Sequence, residues 1–304
     1  MEGYLAMELH YLEIFNTVSR YESYRKASDE MHISQPALST EIKRLEQQIG
    51  LKLFDRAGNG VVLNQNGIML QQYTKQIFSV VGDMETAIAD KKNYVGGTLQ
   101  IGASNTPGAY IMPVIMAGFC QKYPEIMCNL SVGNTSEIAD AVSHGELDIA
   151  VNGGDCVYDK KIYVKPLYVD KLVLVAAPGH SYIRGTKELS KGQLSNERFI
   201  VHKPDSQLYT EYEMLTKTIG IERNIAMMLG SIDAIKSAVR ANIGIALLPG
   251  ISVKNELDDG KLISIKLKNL NMDYPYNLIY NKDKALTTAD RKFAEYIMDN
   301  ISFY

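Results

Sequence analysis

The chain has no tryptophan, only three cysteines, no excess of positive charge and no long apolar run. Each shortage excludes something. Cys120, Cys128 and Cys156 are odd in number and form no Cys-x-x-Cys pair, which argues against a disulfide framework and for a reducing compartment. The densest apolar stretch, Ile111–Cys120, is too short to span a bilayer and contains Pro113. No charged-then-apolar leader opens the sequence, so a cytoplasmic location without membrane attachment is expected. A formal net charge of -3 rules out a uniformly basic surface, so any binding to nucleic acid must be local. HExxH, GxSxG and P-loop signatures are missing and the five histidines are scattered. No catalytic residue, metal site or cofactor is therefore expected. What remains is a chain of 304 residues, longer than one domain usually is, with enough apolar content for a large core.

The most informative stretch is "KASDEMHISQPALSTEIKRLEQQIG", Lys26–Gly50. Ser23 stands as an N-cap ahead of a short helix, Tyr24–Met31, and His32-Ile33 make a tight turn. Ser34 caps the next helix, with Pro36 in its first turn and Gly50 as its stop. Leu38, Ile42, Leu45 and Ile49 recur at helical spacing and face inward, leaving Gln35, Pro36, Ser39, Thr40, Lys43 and Gln47 outward. Two helices this closely joined, the second with short polar side chains near its start, form helix-turn-helix geometry. Gln35 can pair with adenine, Ser39 and Thr40 can reach base edges, and Lys43 can reach guanine or phosphate. Tyr24, Arg25 and Lys26 stand where a phosphate would lie. From spacing alone, a solvated face on a helical hairpin fits as well. The segment from Tyr24 to Arg56 balances Arg25, Lys26, Lys43, Arg44, Lys52 and Arg56 against five acidic residues, so charge does not decide. The next stretch, "LKLFDRAGNGVVLNQNG", reads as a two-stranded wing with Gly58, Asn59 and Gly60 at its tip and Arg56 as a phosphate contact.

With the wing in place, the N-terminal segment resembles that of LysR-type transcriptional regulators. Ala27, Ser34-Gln-Pro-Ala-Leu-Ser39, Leu45-Glu46, Gly50 and Leu53-Phe54-x-Arg56 carry the resemblance, which begins near Met7. It implies that Ser34 to Lys43 read promoter DNA. Two positions depart from the family: Asn59 replaces a common wing arginine, implying one fewer phosphate contact, and Asn64 replaces a capping threonine.

From Asn66 the pattern is helical to about Lys92. Leu70, Tyr73, Ile77, Val80, Met84 and Ala87 form a heptad seam, read as a dimer interface that gives a helix-turn-helix protein its two-fold axis. A helix packed on its own domain is the plainer alternative. The resemblance implies the former. Beyond Gly97, strands and helices alternate in an α/β pattern with a mainly parallel sheet, and a late strand returns to the first half. "TPGAYIMPVIMAGFCQKYP" reads as one helix. Two lobes joined by two crossing strands resemble the type 2 periplasmic-binding-protein fold, which is the effector domain of the resembled family. The expected organisation is a winged helix-turn-helix at 7–65, a linker helix at 66–95 and an effector domain at 96–304. Lobe I covers about 98–167 and 273–304, and lobe II about 168–272.

Ligands in such sheets bind at strand carboxyl ends. That rule selects Ser104, Asn105 and Thr106 after the first strand, Asn134 and Thr135 after the second, and Asn152 ending the third. His202 and Ser206 face them from the second lobe. Hydroxyls and free N–H groups there suit a small anion, although each residue alone could be a helix cap. Ile101–Pro113, Gly133-Asn-Thr-x-Glu-Ile138 and Gly230–Pro249 resemble the family branch that controls sulfur assimilation or carbon dioxide fixation. That implies a small anionic metabolite as effector. "VHKPDSQLY" departs from a segment usually rich in Gly, Ser and Thr, retaining Ser206 alone. The resemblance also implies a homodimer through the linker, a homotetramer, and RNA polymerase as a further partner. Two alternatives stand beside this reading: a solute-binding protein, and a redox-sensing regulator using Cys120 and Cys128.

Overall fold

The computed structural model describes residues 7–58, 60–91, 97–180, 190–266 and 272–301, without the side chains of 83, 85–87 and 89–91. Asn59 and the side chain of Ala87, both named above, lie outside it. The chain divides into two compact units, Met1–Glu85 and Thr86–Tyr304.

In the first unit, α1 (Leu9–Tyr21), α2 (Tyr24–Met31) and α3 (Gln35–Ile49) pack around Leu12, Phe15, Val18, Ala27, Leu38, Ile42 and Leu45, all buried. Each junction has a local cause. Ser23 Oγ accepts from Lys26 N and Ser34 Oγ from Ala37 N, as N-caps should. His32 takes the left-handed conformation that turns α2 into α3, and Gly50 (φ 72°) ends α3 the same way. The wing is an antiparallel hairpin of β1 (Phe54–Ala57) and β2 (Gly60–Leu63). Glu46 fastens it to α3. One carboxylate oxygen accepts from Leu53 N at 2.9 Å, and the other pairs with Lys52 at 2.6 Å.

Helix α4 (Gln65–Lys91) begins with Asn64 Oδ1 accepting from Gly67 N at 3.0 Å, while Asn64 Nδ2 donates to Lys52 O at 3.0 Å. One amide thus caps the helix and pins it to the wing. Where α4 docks on α1 it uses Gln71, which donates to Ser19, and buried Thr74, which donates to Asn16 at 2.6 Å. Leu70 and Phe78 add apolar contact to the same core. Tyr73, Ile77, Val80 and Met84 are exposed.

The second unit has two lobes. In lobe I, β3 (Gly97–Ser104) pairs in parallel with β4 (Ile126–Gly133) and β5 (Ile149–Gly153). Helices α5 (Asn105–Tyr110), α6 (Met112–Lys122), α7 (Thr135–Ser143) and α12 (Thr288–Asn300) accompany it. The single helix expected over 106–124 is therefore two. Ile111 lies between them, and Pro113, which has no N–H to donate, occupies the first turn of α6. Strand β6 (Ile162–Ala176) leaves lobe I and continues into lobe II, where it pairs with β9 (Ala246–Pro249) and β10 (Ile263–Ile265). Lobe II also carries β7 (Phe199–His202) parallel to β8 (Ile225–Leu229), with α8 (Lys191–Ser195), α9 (Gln207–Ile219), α10 (Ile232–Arg240) and α11 (Gly250–Asp258). β11 (Asp273–Asn281) returns antiparallel between β5 and β6. The sheet is mixed rather than mainly parallel because the strand entering and the strand leaving lobe II must run in opposite senses.

These two strands form the hinge, and tyrosines fill it. Tyr168 stacks on Tyr276 at 6.3 Å between ring centroids, and Tyr274 meets Tyr276 edge-on at 5.5 Å. Pro166 lies where the β6–β11 register shifts, since it has no N–H for the ladder. Gly153, at the end of β5, has its missing side chain filled by these rings. A Cβ there would lie 2.8 Å from Tyr276 Cε1 and 2.9 Å from Tyr274 Cε1. Gly153→Ala should therefore destabilise the effector domain by about 1–3 kcal/mol through overpacking. Thermal denaturation of wild type and variant measures it, and an unchanged midpoint would mean the hinge rings move freely.

Candidate nucleic-acid interface and ligand cleft

On α3, Gln35, Pro36, Thr40 and Lys43 are exposed and Ser39 is half-buried, while Leu38, Ile42 and Leu45 are inside. The sequence-derived outward edge is thus the solvent edge. Its members are not equally free. Thr40 Oγ1 donates to Pro36 O at 2.8 Å, so its hydroxyl keeps only acceptor capacity and its methyl for a base. Ser34 Oγ is the cap of α3. Tyr24 is half-buried, its ring 6.3 Å from Phe54, so it belongs partly to the core. Burial, then the charge of Glu46, push its phenol pKa up. Arg25, Lys26 and Arg56 are exposed around α3. Among the described residues, ion pairs in this unit take up Arg44 with Glu41 and Lys52 with Glu46, leaving Arg25, Lys26, Lys43 and Arg56 for an external anion. Positive charge is therefore local, on a chain that is acidic overall.

In the second unit, Ser104, Asn105, Thr106, Asn134, Thr135, His202 and Ser206 line one small cavity between the lobes, together with Gln207, Leu208 and Tyr274. Asn152 does not line it. Fully buried, it donates to Thr135 O at 3.1 Å and so positions the start of α7 from behind. Ser104 Oγ accepts from Gly153 N at 2.9 Å, linking β3 to the hinge. Asn134 and Glu137 form a capping box on α7, and Ser206 Oγ accepts from Tyr209 N as the cap of α9. The remaining first-turn N–H groups, at Thr135 and Ser136 on one side and Gln207 and Leu208 on the other, have no intrahelical acceptor. Two helix N-termini from opposite lobes thus face one cleft, an arrangement favourable to negative charge. Burial lowers the His202 pKa, with Asp205 and the Gly230 backbone opposing. The net effect favours the uncharged imidazole.

The cavity holds only about 20 Å³, room for a water and no more. Beside it, sharing Thr135, Ser206 and Gln207, lies a larger one of about 290 Å³. Asp155, Cys156, Tyr158 and Asp205 are among its walls. The sequence pattern selects none of these four as a ligand contact. The strand-end rule that chose Asn152 would have reached Asp155 and Cys156 if carried a few residues further. Gln207 closes the passage between the lobes, donating to Asp155 O and to Glu211 Oε1, both at 3.2 Å. Gly154 (φ +89°) lets it in, because a Cβ there would lie 2.1 Å from Gln207 Cγ. A second link joins the lobes. Tyr110 of α5 donates to Asp233 at 3.1 Å, and the Lys236 ammonium sits 5.3 Å from the Tyr110 ring centroid while pairing with Glu256 at 2.8 Å.

Cys120 and Cys128 are half-buried neighbours in lobe I. Burial, then the hydrogen bond with Cys120, push the Cys128 thiol up to about 12. At neutral pH Cys128 is a protonated, weakly nucleophilic thiol. Among the described residues no group of three or more His, Cys, Asp or Glu could hold a metal ion, and no helix is long and apolar enough to cross a membrane.

Both halves match known families. Residues 9–68 match "Bacterial regulatory helix-turn-helix protein, lysR family", and residues 92–302 match "LysR substrate binding domain". The chain belongs to the LysR family of transcription regulators. It is a DNA-binding regulator with an effector-binding domain, not an enzyme. A protein of Cyanophora paradoxa named "Probable RuBisCO transcriptional regulator" is 30% identical over 303 residues, covering 98% of this chain and 93% of its own length. A protein of the same name from Chlorokybus atmophyticus is 32% identical over 295 residues, covering 95% and 94%. Among solved structures, a full-length OxyR variant from Pseudomonas aeruginosa, with one cysteine replaced by aspartate, matches with a TM-score of 0.75 at 18% identity, covering 97% of this chain and 94% of that one. Full-length CbnR in complex with its target DNA matches with a TM-score of 0.72 at 19% identity, covering 96% and 99%. These likenesses show the same fold over both halves.

Replacing Gln35 with Ala should cost about 1–3 kcal/mol at one base pair of a cognate duplex and little on random duplex. Fluorescence anisotropy on both duplexes reads it. Equal loss on both would remove Gln35 from base readout.

Proposed function

We propose that this chain reads promoter DNA as a dimer of dimers, with Gln35, Pro36, Ser39 and Lys43 in the major groove. In this reading Arg25, Lys26 and Arg56 hold phosphates. The observation that carries it is the linker helix. α4 docks on its own domain through Leu70, Gln71, Thr74 and Phe78, leaving Tyr73, Ile77, Val80 and Met84 uncovered. A seam of large apolar side chains left in water calls for a second copy, each side chain contributing roughly 1.5–3 kcal/mol when fully covered. Two copies then offer two recognition helices about a two-fold axis, as half-sites require. Exposed Met127 and Val132 on the edge strand β4 support a further pairing of dimers into a tetramer.

The effector is a small molecule seated between the lobes, with an anionic group at the N-termini of α7 and α9. Its binding changes lobe closure, the spacing of recognition helices and the bend of the bound DNA. The chain works in the cytoplasm and acts on transcription alongside RNA polymerase. A redox reading through Cys120 and Cys128 is not favoured, because Cys128 is held protonated.

Val80→Asp, or Ile77→Asp, should convert the protein to monomers in sedimentation and weaken binding to a duplex selected from a random pool by about tenfold or more, through lost bivalency. Unchanged mass and affinity in both variants would mean the seam is not the dimer interface.

A further inference from the structure

The charges around the cleft select the chemical class of its ligand. The larger cavity carries two carboxylates, Asp155 and Asp205, and no Lys, Arg or His among its described walls. Lys203, two residues from Asp205, lies against Gly230 instead. Glu211 stands behind Gln207, and its carboxyl pKa is raised by burial and then by the charge of Asp155. Negative charge thus accumulates on one side of the cleft with no protein cation to answer it.

The helix N-termini described above adjoin both cavities, Thr135, Ser206 and Gln207 lining each, and His202 lines the small one. This imidazole is 6% exposed, lines the small cavity, and its Nδ1 has no hydrogen-bond partner. A buried ring nitrogen without a partner is costly unless a ligand meets it. The small cavity therefore offers donors and an unmatched polar nitrogen with no carboxylate, and the larger one adds Asp155 and Asp205. A purely anionic ligand filling the larger cavity would be repelled by Asp155 and Asp205, and a purely cationic one would be repelled by the N-termini of α7 and α9.

We propose that the effector is a zwitterion of amino-acid type, its protonated amine held by Asp155 and Asp205 and its carboxylate received by the starts of α7 and α9 beside His202. This rests on the effector cleft proposed above and names the ligand class for it. Atoms on both lobes would be bridged by one molecule of modest size, so occupancy would favour the closed arrangement.

The test uses the full-length protein in thermal-shift and calorimetric titrations. Probes are the standard amino acids, and amine-free counterparts such as glutarate for glutamate and hexanoate for lysine, with sulfate and inorganic phosphate. At least one amino acid should bind, and its amine-free counterpart should bind about tenfold or more weakly. Asp155→Asn and Asp205→Asn, both at exposed positions, should each weaken that amino acid by a similar factor while tightening amine-free anions, whose repulsion they remove. Binding of sulfate, phosphate or glutarate without any amino acid would overturn the zwitterion while keeping the cleft. Silence from every probe at millimolar concentration would also overturn it. The cleft reading itself falls only if, in addition, Gln207→Ala leaves DNA affinity and DNA bend unchanged.

Discussion

The antiparallel pairing of β6 with β11 is the constraint on which the effector domain depends. These strands carry the chain into lobe II and back, so every relative movement of the lobes bends them. Tyr168, Tyr274 and Tyr276 stack across that pairing, and Gly153 makes room for them. Ser104 accepts from the same glycine's N–H, so the first residue of the small cavity is tied to the hinge. The cleft and the β6–β11 crossing are therefore joined by a direct hydrogen bond and shared packing.

The cleft is nearly shut. Gln207 bonds across to the Asp155 loop, and Tyr110 bonds across to Asp233 beside Lys236. Burial pulls the Lys236 pKa down, but its hydrogen bonds to Glu256 and Asp233 outweigh this and leave it raised. That ammonium is therefore a permanent charge under the Tyr110 ring. Closed lobes held by a few polar bonds suit a two-state element, because such bonds exchange readily with ligand or water. In the proposed reading an effector need only replace or reinforce Gln207, not pull the lobes together from far apart.

How much of this was legible depended on how local each cause was. The DNA-reading unit was readable because caps, turn and helix stops are set by neighbours: Ser23, Ser34, His32 and Gly50 each act on groups close by in the chain. Seven predicted cleft residues meet in one cavity because each lies at a strand end or a helix start, five in lobe I and two in lobe II, and the two lobes face each other there. Asn152 ends a strand as well, yet faces α7 rather than the cavity, which only the packing decides. The Asp155–Tyr158 wall was missed because an irregular loop has no period to read. The break at Ile111 was missed because the apolar pattern continues through it, although Pro113 was in plain view.

The central claim is that the state of the cleft sets the shape of the bound DNA. Its most direct test is energy transfer between dyes at the two ends of a selected duplex, bound by the wild type and by Gln207→Ala. Loss of the Gln207 bond to the Asp155 loop should change the transfer efficiency at saturating protein, reporting a different bend. Identical efficiency for both proteins, each fully bound, would contradict the account and leave the two halves of the chain mechanically uncoupled.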